Sequence, residues 1–304
     1  MVVNNFAKAI GNTPLVKINK INKSTSNIYA KVESMKPLSS AKDRAALFMI
    51  EEAEKRGDLK SDSIILEPTS GNTGVGLAYI AAIKGYKTIF TMPSSMSVER
   101  VNLLKAFGAK IVLTDPDKGM SGAIDRANEL AKLNSKIYIP QQFDNSDNPL
   151  AHYMTTGPEI YNDLNGNIDI YVSSVGTSGT LSGCAKYLKE KNPNIKIVAV
   201  EPATSAVISK EKAGKHGIQG IGAGFIPKNL DLALVDEVIK IATEDAFEFA
   251  RNIAKKEGIL AGISSGAALA AAIKIGKREE NKDKNIVVIF PDTGERYLST
   301  GLYK

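Results

Sequence analysis

Short apolar runs rich in Ile and Val alternate with helix-patterned stretches along most of this chain, and that alternation restricts the fold more than any other feature. Residues 87–93 read as a strand, 97–107 as a helix closed by Gly108, 110–113 as a strand, 121–133 as a helix and 136–139 as a strand. The second half repeats the style. Residues 168–172 lead through 173–180 into a helix over 181–189, then come a strand at 196–202, a helix at 244–257, an Ala-rich helix at 267–277 and a last apolar strand at 285–290. Strands separated by helices and short Gly/Pro breaks pair in parallel, because each helix is the crossover between two strands. The fold class expected is α/β, built from twisted, mostly parallel sheets flanked by helices. The polar, Asn-rich stretch 141–149 is a candidate lobe boundary.

Composition narrows the function classes. Of 304 residues, 43% are hydrophobic and 24% charged, as in a soluble globular protein. No apolar run approaches the roughly 20 residues that span a bilayer, so no membrane association is expected. The start of the chain lacks a basic segment followed by an apolar one, and a cytoplasmic location is expected. The formal charge of +6 comes from lysines interspersed with Glu and Asp, as in 51–56, without a basic run carrying interleaved aromatics. No nucleic-acid partner is expected. A lone cysteine, Cys184, excludes an internal disulfide, and two isolated histidines, His152 and His216, make neither a metal site nor a triad. Both histidines read as non-catalytic.

Two turns could carry chemistry. The first follows the apolar run at 64–66 and reads Glu67-Pro68-Thr69-Ser70-Gly71-Asn72-Thr73-Gly74, before a helical pattern through Ala82. The second, Gly176-Thr177-Ser178-Gly179-Thr180, also leaves a buried strand and opens a helix. Glycines let backbone N–H groups approach a ligand, and a helix N-terminus favours negative charge. The second turn lacks the Lys of a P-loop, and no dinucleotide fingerprint sits in context, so a phosphomonoester fits better than a nucleotide. Ser, Thr and Asn are also ordinary capping residues, and Ser264 in Gly262-Ile263-Ser264-Ser265-Gly266 reads most simply as an N-cap. Lys42 stands where a polar loop becomes a helix, and nothing in its position alone separates it from a surface lysine. The long glycine-rich stretch 210–227 reads as a functional loop or flap.

In combination these stretches resemble a known family. Pro37-Leu38-Ser39-Ser40-Ala41-Lys42-Asp43-Arg44, the 69–74 turn, the 176–180 turn and 262–267 occur in the order found in the cysteine synthase/cystathionine β-synthase family of fold-type II pyridoxal phosphate (PLP) enzymes. Gly11-Asn12-Thr13-Pro14, Gln141-Gln142-Phe143, Thr155-Thr156-Gly157-Pro158-Glu159, 219–225 and 294–300 extend the likeness over nearly the whole chain. The resemblance implies a two-lobed, tryptophan synthase β-like fold. A larger PLP-binding lobe would comprise 1–34 and 146–304, and a smaller mobile substrate-binding lobe 35–145, with the cofactor between them. Lys42 would form the Schiff base and move protons at the substrate Cα. Asn72 would bond the cofactor ring hydroxyl, Gly176, Thr177, Ser178, Gly179 and Thr180 would hold its phosphate, and Ser264 its pyridine nitrogen. Thr69, Ser70, Asn72, Thr73 and Gln142 would bind the substrate carboxylate, and Gly220 would line the entrance.

The activity implied is β-replacement through an α-aminoacrylate, converting O-acetyl-L-serine and sulfide to L-cysteine and acetate. A neutral serine at the ring nitrogen suits loss of a β-leaving group better than transamination; Asp292 is the rival partner for that nitrogen. A second reading uses L-cysteine as donor, releasing hydrogen sulfide and forming lanthionine or serine. A non-enzymatic reading makes the chain a binding partner of a serine acetyltransferase tail. A homodimer is implied by the resemblance alone, and no metal is expected. Three positions depart from the family pattern: Lys36 stands before Pro37 where Asn is usual, Ser39 and Ala41 replace bulkier apolar residues, and Ser178 replaces a glycine, which is tolerable at negative φ.

Overall fold

A computed structural model describes residues 2–69 and 71–303; Ser70, an expected substrate ligand, lies outside the described residues. The elements run β1 (Leu15–Ile18), β2 (Asn27–Val32), α1 (Lys42–Arg56), β3 (Ile64–Pro68), α2 (Asn72–Lys84), β4 (Lys87–Pro93), α3 (Val98–Ala106), β5 (Lys110–Thr114), α4 (Gly119–Leu133) and β6 (Ile137–Tyr138). They continue with α5 (Asp147–Ala151), a π-helical turn (His152–Thr156), α6 (Gly157–Asp163), β7 (Ile170–Ser174), α7 (Gly179–Lys191), β8 (Lys196–Pro202), β9 (Glu237–Ile241), α8 (Thr243–Glu257), α9 (Ile263–Gly276) and β10 (Asn285–Phe290). Among the described residues no helix is long and apolar enough to cross a membrane.

The chain divides into two compact units, one of residues up to Ile10 with Lys42–Asn148, the other of Gly11–Ala41 with Pro149 onward. The first holds a four-stranded sheet in the order β5-β4-β3-β6, parallel throughout. The second holds a six-stranded sheet, β1-β2-β10-β7-β8-β9, in which only β1 runs antiparallel. This is the α/β architecture expected from the alternation, two mostly parallel sheets with helices on their faces. Strands such as β10, apolar after Asn285 and buried at all six positions, are what a parallel sheet covered on both sides requires.

Within each sheet the same strand order recurs: β6-β3-β4-β5 in the first and β10-β7-β8-β9 in the second. The chain leaves β3 or β7, lays two strands to one side, and returns to the other. Such a reversal opens a crevice outside the carboxyl ends of the two strands it separates. The 69–74 turn follows β3 and the 176–180 turn follows β7, so both chemistry-bearing turns leave strands at a switch point.

Glycines set the close approaches that hold these turns. In the first unit, a Cβ on Gly76 of α2 would sit 2.9 Å from the Lys42 carbonyl oxygen and 3.0 Å from Ala46 Cβ, so α2 and α1 pack backbone to backbone where α1 begins. In the second, α9 is buried at every residue but Lys274, and a Cβ on Gly266 would lie 2.0 Å from the Ala246 carbonyl oxygen of α8. A helix apolar all round belongs in an interior, and the Ala-rich sequence lets its neighbours come close. Gly76→Ala is expected to destabilise the protein by about 1–3 kcal/mol through overpacking against the start of α1, measured by chemical denaturation.

Candidate active site

In the first unit the site residues cluster around the exits of β3 and β6. Thr69 is buried and donates its N–H to the Thr91 carbonyl at 3.2 Å, and Gly71 in turn donates to Thr69 Oγ1 at 3.4 Å. Helix α2 begins directly afterwards with Gly71 as its N-cap, which puts Asn72 and Thr73 in its first turn. Thr73 Oγ1 donates to Gln142 Oε1 at 2.5 Å, joining two residues expected to bind a carboxylate. Lys42 is the first residue of α1 and half-buried, its carbonyl against α2 at Gly76.

Glu67 joins this cluster, and sequence reasoning did not single it out. Its side chain is buried and accepts the N–H groups of Gln141 at 3.0 Å and Gln142 at 3.1 Å, tying the end of β3 to the segment after β6. Burial without a cation pushes its carboxyl up from 4.5 to about 7, although the two N–H bonds pull the other way. The signal was a carboxylate inside an otherwise apolar strand.

In the second unit the 176–180 turn is packed against the glycine-rich loop. Gly222 donates its N–H to the Val175 carbonyl at 3.1 Å, and a Cβ on Gly176 would meet the Gly220 carbonyl oxygen at 2.3 Å. Gly220, expected at the entrance, is exposed with φ +92°. Ser178 is the N-cap of α7 at φ +66°, in the left-handed region rather than at the negative φ expected. The turn needs that conformation to aim consecutive amides the same way, and Ser178 Oγ, 3.1 Å from Ser182 Oγ, offsets part of the strain.

His152 is the other residue the sequence left unassigned. It is fully buried in the π-helical turn, with Nε2 3.2 Å from Thr180 Oγ1 and Nδ1 2.9 Å from Thr156 Oγ1, while Tyr171 OH donates to the Thr180 carbonyl at 3.2 Å. Thr180 is therefore held from two sides. His152 supports a residue of the turn rather than reacting itself, which no pattern in one sequence announces.

Ser264 lies in the first turn of α9, and the N-cap is Gly262, two residues earlier than expected. A Cβ at 262 would fall 1.9 Å from Asp292 Oδ1, so only glycine fits at that cap. Asp292 itself is buried and accepts the Tyr297 hydroxyl at 2.6 Å. The loop before Lys42 is stitched to the same strand end, with Ala41 N–H donating to the Pro291 carbonyl at 2.8 Å, Ser40 bridging Asp292, and the Arg296 guanidinium donating to the Leu38 carbonyl.

A model for pyridoxal-phosphate-dependent enzymes matches residues 6–292. The chain belongs to that family. Among its relatives are a cysteine synthase of Buchnera aphidicola subsp. Schizaphis graminum, 54% identical over 97% of this chain and 94% of that protein, and one of Staphylococcus aureus, 52% identical over 99% of this chain and 97% of that protein. Two solved structures share the fold throughout. A cysteine synthase from Entamoeba histolytica superposes with a TM-score of 0.98 at 47% identity, covering 100% of this chain and 91% of that one. A hydrogen sulfide-producing enzyme from Fusobacterium nucleatum gives 0.95 at 48%, covering 98% of this chain and 99% of that one. The protein is a PLP-dependent enzyme of the cysteine synthase type.

The residues present fit that cofactor. Among the described residues no protein acceptor is bonded to the N–H groups of Gly176, Ser178, Gly179 or Thr180, which suits an anion at the start of α7. Among the described residues Ser264 makes no side-chain hydrogen bond, and the enclosed hydroxyl of Ser174, at the end of β7, is likewise without a partner.

Two outcomes follow from this geometry. Ser178→Gly should keep the turn and stabilise the protein by up to about 1 kcal/mol, whereas Ser178→Val should cost more than about 1 kcal/mol, since a β-branched residue is an outlier at positive φ; thermal unfolding reads both. The carboxyl of Glu67 has a folded value of about 7, above its ordinary 4.5, so its contribution to stability is complete below pH 4.5 and is lost as pH rises towards 7. Over that window the stability of the wild type relative to Glu67→Gln should fall with rising pH, as measured by denaturant titrations at fixed pH.

Proposed function

We propose that this enzyme converts O-acetyl-L-serine and sulfide to L-cysteine and acetate. The observation that carries the proposal is identity of 52–54% to cysteine synthases over nearly the full chain. Lys42 would hold the cofactor through its amine, Asn72 would bond the ring hydroxyl, the 176–180 amides and threonine hydroxyls the phosphate, and Ser264 the ring nitrogen. When bound, PLP supplies an electron sink that weakens the substrate Cα–H bond and the bond to its β-substituent.

The chain's own groups do the rest. Thr69, Ser70, Asn72, Thr73 and Gln142 bind the substrate carboxylate with N–H and OH donors, helped by the positive end of α2. Lys42 takes the Cα proton and later returns it, acting as base and then acid on one carbon. The Cβ–O bond breaks as acetate leaves, and sulfide forms the Cβ–S bond. Ser264, a neutral hydroxyl, cannot hold a proton on the ring nitrogen as a carboxylate would, which favours loss of the β-substituent over transamination. Closure of residues 35–145 over the bound amino acid, with the remainder of the chain as the larger lobe, would exclude water. On family resemblance we also propose a homodimer able to bind a serine acetyltransferase tail. The single buried cysteine suits a reducing, cytoplasmic setting.

Mass spectrometry of the purified holoenzyme tests the reaction. O-acetylserine plus sulfide should give cysteine rapidly, while L-cysteine alone should give little sulfide or lanthionine; the reverse pattern would assign the cysteine-consuming activity instead. Lys42→Ala should lower turnover by at least about 10³-fold, the scale of losing a group that both holds the cofactor and transfers the proton. Borohydride reduction should add the cofactor mass to the wild type and not to that variant.

A further inference from the structure

A carboxylate buried without a cation is costly, and an apolar side chain of similar size at the end of β3 would avoid that cost. Glu67 is 2% exposed, and among the described residues its recorded partners are the two backbone N–H groups of Gln141 and Gln142. Those amides belong to a segment with particular needs. Gln141 sits at φ +58°, where a side chain is strained, and the short strand β6 pairs with β3 only at Ile137 and Tyr138. Nothing in the sheet ladder reaches as far as Gln142. The Glu67 carboxylate accepts its N–H, and from the other side Asn148 Nδ2 donates to the Gln142 carbonyl at 2.8 Å.

The consequence is a chain of contacts across the switch point between β3 and β6. Glu67 fixes the main chain of Gln142; Gln142 Oε1 receives the Thr73 hydroxyl; Thr73 follows the Thr69 turn, which is itself two residues beyond Glu67. Both walls of this crevice are thereby referred to one side chain. We propose that Glu67 is a positioning residue for substrate recognition: by gripping the Gln141 and Gln142 amides it sets the spacing between the Thr69–Thr73 turn and the Gln142 side chain, and so the fit of the substrate carboxylate. This rests on the assignment of Thr69, Thr73 and Gln142 to that carboxylate.

A neutral amide at position 67 can accept one N–H but presents its own NH₂ to the other, so Glu67→Gln breaks the grip with little change in volume. The experiment uses the PLP-loaded enzyme and compares wild type, Glu67→Gln, Gln142→Ala, Thr73→Ala and the Glu67→Gln/Gln142→Ala double variant. Glu257→Gln serves as the control, because Glu257 also accepts backbone N–H groups, those of Asn19, Lys20 and Ile21, none of which is an expected ligand. The readouts are kcat and KM for O-acetylserine, calorimetric binding of L-serine as a non-acetylated probe, and Tm. Glu67→Gln should raise KM and the L-serine Kd about tenfold or more while kcat changes less than about threefold, the signature of lost uniform binding. The double variant should be no worse than Gln142→Ala, because both act on one cradle. Glu257→Gln should lower Tm without moving KM. A KM within about twofold of wild type in Glu67→Gln, or a fall in Tm with additive effects in the double variant, overturns the proposal. If Thr73→Ala and Gln142→Ala themselves leave KM unchanged, the carboxylate assignment fails first. Should Glu67→Gln not fold, Glu67→Asp, which keeps the charge but shortens the reach, carries the same comparison.

Discussion

A loop flanking a strand carries backbone N–H groups that no ladder partner reaches, and in this protein buried or half-buried carboxylates meet that need repeatedly. Glu67 takes the amides of Gln141 and Gln142, Glu201 those of Ile208 and Ser209, and Glu159 those of Asn12 and Thr13. Where the acid is ionised such bonds are charge-assisted and stronger than neutral ones, and together they help offset its desolvation. The positions of the loops depend on it. The segment after β6, the residues just before the glycine-rich stretch after β8 and the Gly11–Thr13 turn before β1 are all fixed this way, while the helices and strands beneath them supply rigidity. Glu159 also pairs with the buried Lys31 at 3.0 Å, which explains why two motifs far apart in sequence, 11–14 and 155–159, belong to one structural feature.

The parts legible in the sequence were those governed by local periodicity. Strand–helix alternation gave the parallel sheets, and the helix over 121–133 differs from α4 only by the two residues at its start. What escaped was set by contacts distant in the chain. Ser264 looked like a cap because Ser is a good one, but the helix starts earlier at Gly262, where the Asp292 carboxylate leaves no room for a side chain. Ser178 looked acceptable only at negative φ, and the turn imposes a positive one. His152, fully buried beside Thr180, had no neighbouring signal at all. Lys42 itself was recognisable only through the surrounding motif, since a lysine at a loop–helix junction is ordinary.

The repeated strand order shows how one topological device can serve two tasks. In the first unit the switch point presents hydroxyls and an amide at the start of α2, groups suited to orienting a carboxylate. In the second it presents the amides of Gly176, Ser178, Gly179 and Thr180, without a protein acceptor among the described residues and suited to a phosphate. Both begin as an apolar strand and end at a helix N-terminus; the difference lies in five or six turn residues.

The pairing of β2 with β10 has a consequence for how the protein is made. Asn27 is in register with Asn285 and Val32 with Phe290, so a strand near the start of the chain is completed by one near its end. During synthesis β2 has β1 alone to pair with, and its buried residues Ile28, Ala30 and Val32 stay without their final covering until nearly the whole polypeptide has emerged. At roughly 5–20 residues per second that delay lasts on the order of ten seconds or more. The first unit's sheet, by contrast, is complete once β6 at Ile137–Tyr138 is made, which orders the birth of the two units in time.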